Sequence, residues 1–186
     1  MAVMPLKLEI ARSQLRAGGV IAYPTEGVWG LGCDPFDKTA VSKLLAIKGR
    51  AETKGLILVA ASIEQFDDYL EGLEPALRAK LKCSWPGHIT WLVPDNGFTP
   101  NWIKGKNQYV ALRVSAYQPV VDLCLAFGGP IVSSSANISG HPTVKWPWQL
   151  RRQLPSLDYC MNGPLGLAGK PSEIRELISG KVLRGG

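Results

Sequence analysis

Histidine is nearly absent from this 186-residue chain: His88 and His141 are its only two, and no cluster of metal-binding side chains surrounds either. Cysteine occurs four times, at positions 33, 83, 124 and 160, never as C-x-x-C. That supply argues against a zinc centre, and the wide spacing reads as buried thiols in a reducing cytoplasm rather than a disulfide framework. No apolar run reaches the roughly 18–20 residues of a membrane span, and Met1–Pro5 lacks the charged start and apolar stretch of a secretory leader. The standard phosphate-binding sequences are missing too. Gly169-Lys170 is followed by Pro171, residue 164 is Pro, and Gly27, Gly30 and Gly32 do not fit G-x-G-x-x-G. Ser135 sits in no nucleophile elbow, and a hydrolase triad would have to borrow one of the two histidines.

Negative charge is scarce in the second half. Residues 1–93 carry 11 basic and 10 acidic side chains, whereas 94–186 carry 10 and 5, giving most of the formal +6. Between Asn96 and Leu157, six basic residues face only Asp122. Such a surplus steers polyanions toward one face, although solubility alone would also account for it. With 46% apolar and 19% charged residues, the chain has the composition of one globular domain, 1–186, large enough for a real core.

Short β-type runs alternate with helical patterns, which places the chain in the α/β class. Strands are predicted at Gly19–Pro24, Val28–Cys33, Leu56–Ala60, Ile89–Val93, Tyr109–Val114, Ile131–Ser133 and Asp158–Met161, with an edge strand at Lys181–Arg184. Asp37 can cap a helix whose apolar stripe is Val41, Leu44 and Leu45. Further helices are predicted at Pro75–Cys83, Pro119–Phe127, Trp148–Leu154 and Ser172–Ile178. Asn96–Lys106, polar and containing Gly and Pro, reads as a long loop, either a candidate lid or equally a variable insertion.

Three features stand out from this frame. Lys48 falls on or beside the apolar stripe of its helix, Gly49 ends that helix, and Arg50 and Lys54 complete three cations within seven residues. They suit an anion, or Lys48 simply complements the helix C-terminus with Gly49 as its cap. Arg113 shares a strand face with Ala111 in an otherwise buried run. An interior guanidinium needs an anionic partner, either a structural carboxylate or that of a bound substrate. Ser133-Ser134-Ser135-Ala136-Asn137 gathers hydroxyl and amide groups where a strand ends, the usual ligand position in open α/β sheets, and also forms a good turn sequence.

Tyr23-Pro24-Thr25-Glu26 with Gly30-Leu31-Gly32, Lys48-Gly49-Arg50, Trp85-Pro86-Gly87, Ala111-Leu112-Arg113-Val114, Ser135-Ala136-Asn137-Ile138-Ser139-Gly140 and Pro171-Ser172-Glu173-Ile174-Arg175 resemble the YrdC-like family in order and spacing. The resemblance covers nearly the whole chain. It implies an open, twisted mixed sheet flanked by helices, with a large cationic cavity. It implies a reaction in which L-threonine, bicarbonate and ATP, accompanied by Mg2+, give threonylcarbamoyl-adenylate and pyrophosphate. Separate transfer proteins then place the threonylcarbamoyl group on a tRNA adenosine next to the anticodon. Position by position, Lys48, Arg50, Ser135 and Asn137 correspond to the family's polar tetrad around the nucleotide, Lys48 and Arg50 being the expected catalytic cations. Thr143 and Arg184 correspond to positions reaching the nucleotide, and the local charge pattern adds Lys54. Arg113 and Ser172 correspond to threonine-holding positions, with Thr25 and Ser133 nearby, and no protein side chain is expected to ligate a metal. Gly27, Val59 and Lys54 stand where longer relatives often have threonine, histidine and asparagine, so the amino-acid pocket is expected to be built differently. The alternative is a non-catalytic RNA-binding module of tRNA or rRNA maturation, contacting tRNA or double-stranded RNA through the basic second half.

Overall fold

The computed structural model describes residues 4–144 and 146–185. Its strands are β1 (Ile21–Pro24), β2 (Trp29–Gly32), β3 (Ile57–Ala60), β4 (Ile89–Pro94), β5 (Tyr109–Val114), β6 (Ile131–Ser135), β7 (Tyr159–Cys160), β8 (Glu173–Glu176) and β9 (Val182–Arg184). Its helices are α1 (Leu6–Arg16), α2 (Lys38–Lys48), α3 (Pro75–Ser84), α4 (Asn101–Lys104), α5 (Gln118–Phe127) and α6 (Pro147–Gln153). The strands form one open mixed sheet in the order β7-β1-β2-β6-β3-β5-β4-β8-β9.

Helix α2 shows how local sequence sets an element. Asp37 accepts hydrogen bonds from the Thr39 and Ala40 amides at 2.8 and 3.0 Å, satisfying two orphan donors of the first turn. Val41, Leu44 and Leu45 are buried, each stabilising by about 1.5–3 kcal/mol. Gly49, at φ 55°, takes the left-handed conformation that stops the helix and turns the chain toward Arg50.

The two sheet faces are covered differently. Leu31, Leu58, Trp91, Leu112 and Val132 pack in one large cluster with α2, α3 and α6. On the other face, α1 and α5 set Ala11, Leu15, Val120 and Leu123 onto Ile21, Tyr23, Val59 and Ile131. Those two helices cover only part of that face. Beyond them, Ile57, Ala111 and Ser133, paired in register, line an open cavity.

Most predicted elements are present with shifted ends, but three readings change. Ser172–Ile178 is not helical: Glu173–Glu176 forms β8, parallel to β4 and antiparallel to β9. Its helix-compatible local sequence is overridden by pairing with the otherwise bare edge of β4, where the Arg175 guanidinium also lies 5.9 Å from the Trp91 ring centre. Strand β6 runs on to Ser135, so the serines belong to the strand rather than following it. Residues 6–16, where no element is predicted, form α1. The Asn96–Lys106 loop contains α4 and is tied down, with the Asn96 amide donating to Asp68 O (2.8 Å) and the Trp102 indole to Pro35 O (3.0 Å).

Candidate active site

The open end of the sheet face encloses about 360 Å3. Ile57, Leu92 and Ala111, paired in register, give it an apolar floor, and its wall carries Arg50, Lys54, Lys104, Arg113 and Arg184 with no carboxylate. Asp95 pairs with Lys104, and Glu26 with Arg113, from behind that wall. Arg50, Lys54 and Arg184 have no carboxylate partner among the described residues.

This concentration of like charge is costly without an anion. Burial lowers the Arg50 pKa. Arg184 is lowered by burial and then by the charges of Arg50 and Arg113. Lys48 is lowered to about 8, by burial first and Arg50 second. A phosphate or carboxylate entering here would relieve repulsion already built into the fold, so electrostatic stabilisation requires little reorganisation.

Of the residues singled out from sequence, Thr25, Arg50, Lys54, Arg113, Ser133, Ser135, Ser172 and Arg184 meet at this one cavity. Arg50 donates to Gly55 O at 2.8 Å, and Arg184 to Ser172 O at 2.7 Å. Ser172 is 4% exposed and shares a 2.7 Å hydroxyl hydrogen bond with Thr90. The Thr25 hydroxyl is spent on its own turn, donating to Val28 O at 2.6 Å. The Ser133 hydroxyl meets the buried Tyr23 phenol, whose pKa burial raises.

Lys48, Asn137 and Thr143 do not line the cavity. Lys48 is 2% exposed, and its ammonium donates to the carbonyls of Ser135 and Asn137, the latter at 2.9 Å. With Ser139 N donating to Lys48 O at 2.8 Å, the end of α2 is fastened to the turn after β6. Lys48 therefore holds the segment carrying Ser135; buried carbonyls capture the ammonium that the sequence suggests for the anion. The Asn137 amide braces the same turn, donating to His141 O at 2.6 Å. Thr143 lines a separate hollow of about 340 Å3 with His141, Gln149 and Gln153.

Sequence reasoning missed Lys104, His88 and Glu26. Lys104 was available as a cation inside the acid-poor loop. His88, on the wall, donates from Nε2 to Lys170 O at 3.0 Å, an assignment set by the carbonyl, which can only accept. Gly27 is enforced by the same backbone: a Cβ there would stand 1.8 Å from Lys170 O. Threonine at this position is incompatible with the observed path of the chain. No group of three or more His, Cys, Asp and Glu side chains able to hold a metal occurs among the described residues.

With this geometry in view, comparison with known proteins places the chain. The Sua5/YciO/YrdC family model, described as "Telomere recombination", matches residues 13–186. The threonylcarbamoyl-AMP synthase of Cellvibrio japonicus is 48% identical over 179 residues, 96% of this chain and 95% of that protein. The one from Stutzerimonas stutzeri is 50% identical over 171 residues, 91% and 92% of the two chains. Among solved structures, Sua5 of P. abyssi complexed with L-threonine superposes with a TM-score of 0.86 at 29% identity, covering 95% of this chain. This chain spans about half of that longer protein, 52% of its length. From its ordered motifs, its nine-stranded sheet and these matches along nearly its full length, the chain belongs to the Sua5/YciO/YrdC family.

Proposed function

We propose that this chain is a threonylcarbamoyl-AMP synthase, converting L-threonine, bicarbonate and ATP to threonylcarbamoyl-adenylate and pyrophosphate. The observation that carries the reading is one cavity wall presenting Arg50, Arg113 and Ser135 together, with no carboxylate to repel a polyanion. The relatives' names point to the same reaction.

Bicarbonate takes up the proton that threonine's ammonium gives up and loses water to yield CO2. The free amine then bonds to that carbon as one C–O π bond opens, and an N–H proton leaves to solvent, giving a carbamate. A carbamate oxygen then forms a bond to the α-phosphorus as the bond to the β-phosphate oxygen breaks, and pyrophosphate leaves. Charge grows on the phosphate oxygens, so fixed cations stabilise the transition state more than the ground state. Arg50, with Lys54 and Arg184, serves that role. Ser135 binds nucleotide oxygens on a segment fixed by Lys48 and Asn137. Arg113 and Ser172 hold the threonine carboxylate side, the planar guanidinium offering paired donors. Mg2+ accompanying ATP would neutralise part of the phosphate charge beside Arg50, Lys54 and Arg184; with no carboxylate in the cavity lining, the phosphates themselves would hold it. The product passes to separate threonylcarbamoyl-transfer proteins. The four thiols are unpaired; Cys33, Cys124 and Cys160 are buried as expected but Cys83 is exposed, where a reducing cytoplasm would keep it a thiol.

The test is direct. Purified protein given labelled ATP, L-threonine and bicarbonate should form an adenylate that requires all three, with pyrophosphate released. RNA binding that weakens with salt, without such an adenylate, would replace this reading by the RNA-binding module.

A further inference from the structure

Glu26 is a nearly enclosed carboxylate to which the mechanism above gives no task. It sits in the turn between β1 and β2, with its side chain 16% exposed, and pairs with Arg113, whose side chain is 9% exposed. Its Oε1 also accepts a 2.6 Å hydrogen bond from the Ser115 hydroxyl. Ser115 is itself 1% exposed and accepts the Tyr117 amide at 3.1 Å, which directs its proton toward Glu26. The Glu26 carbonyl accepts the Ala168 amide at 3.0 Å, so the main chain is held as well. On the far side, Arg113 Nε donates to Gly87 O at 3.2 Å. The guanidinium is thus held by a carboxylate and a carbonyl, while Arg184 brings like charge to bear on it. Burial alone would raise the Glu26 pKa, but the Arg113 charge and the bonds from Ser115 and Arg113 outweigh it and hold the carboxyl below its usual range. Glu26 therefore stays ionised at neutral pH. It does not line the cavity, which makes it neither a substrate contact nor a base.

We propose that Glu26, oriented by Ser115, is a positioning residue for the amino-acid substrate, holding the Arg113 guanidinium so that its remaining N–H groups face the substrate carboxylate. The inference rests on the reading of Arg113 given above. A mobile guanidinium repelled by Arg184 would pay to be ordered at each binding event, and Glu26 removes that cost in advance.

Glu26→Gln keeps the shape and an acceptor for Ser115 while removing the charge. Its apparent KM for threonine should rise on the order of tenfold, with the ATP KM changed by less than about twofold. Ser115→Ala should shift the same parameter by less. Combined with Arg113→Lys, Glu26→Gln should add little, because both act on one interaction. Equal rises in both KM values, an unmoved threonine KM, or fully multiplicative penalties would overturn the proposal. Should Glu26→Gln fail to fold, Ser115→Ala and Glu26→Asp carry the same comparison. Wild-type turnover separates this inference from the functional reading: no threonine-dependent adenylate from wild type sinks the function. Calorimetric binding then still tests Glu26, because Glu26→Gln should weaken L-threonine but leave L-threoninol, which lacks the carboxylate, unchanged.

Discussion

One face of the sheet is divided into two unlike halves. At one end, Ile21, Tyr23, Val59 and Ile131 lie beneath α1 and α5, buried to 2% exposure or less. Two residues along the same strands, about 7 Å away, Ile57 and Ser133 face the cavity instead. Arg113, paired in register with Val59, stands on the seam. Where helices supply the second layer, the strands present aliphatic and aromatic groups. Where the helices stop, the same strands add hydroxyls and a guanidinium to the apolar Ile57 and Ala111, and the ligand becomes the missing layer. Stability should therefore reside at the covered end and activity at the open end.

The largest effect should come from breaking the covered end. Leu123→Ala, at 0% exposure on α5, should cost about 2–5 kcal/mol in urea unfolding, with activity per folded molecule unchanged. A matching fall in specific activity would show that the two halves are not separable.

At the open end the pattern should reverse. Arg50→Ala should lose about 2–4 kcal/mol of transition-state stabilisation, read as kcat/KM for threonine- and bicarbonate-dependent pyrophosphate release. Stability should move by no more than about 1 kcal/mol, because one hydrogen bond to Gly55 is lost while a desolvated charge is removed. Near-wild-type pyrophosphate release would take Arg50 out of the mechanism.

The smallest and sharpest contrast is in the pH dependence of stability. Burial raises the Cys124 thiol to about 12 and the Tyr23 phenol further still. The unfolded chain releases these protons near pH 9.0 and 10.0, while the folded chain keeps them. Their contribution is complete below pH 9 and declines above it, by up to about 1.4 kcal/mol per group per pH unit. Lys48 works in the opposite sense: its folded pKa of about 8 lies below 10.5, so the folded state gives up a proton first and gains stability across that window. Alkaline unfolding curves should thus flatten in Tyr23→Phe and steepen in Lys48→Met. Identical slopes in both variants would contradict the assignment.

The fold was legible where the pattern is local. Asp37, the stripe Val41-Leu44-Leu45 and Gly49 mark α2 almost to the residue, and Tyr109–Val114 is β5 as predicted. Residues 172–178 were misread because their conformation depends on the edge of β4, more than 80 positions earlier, which no local periodicity records. The candidate site was legible as a set of anomalies. Arg113 is an arginine in a buried strand and Lys48 a lysine on an apolar stripe, and both are unusual enough to require partners. The identity of those partners was not legible.

By itself, the sequence determined most of the strands and helices and marked Lys48 and Arg113 as charges on buried faces, because periodicity, caps and burial act over a few residues. Only the tertiary structure decided that Glu26 answers Arg113 across 87 positions, that backbone carbonyls capture Lys48, and that Arg50 and Arg184 share one cavity. Those outcomes depend on strand register and on where α1 and α5 stop. Both follow from the balance of burial over the whole chain rather than from any one stretch of it.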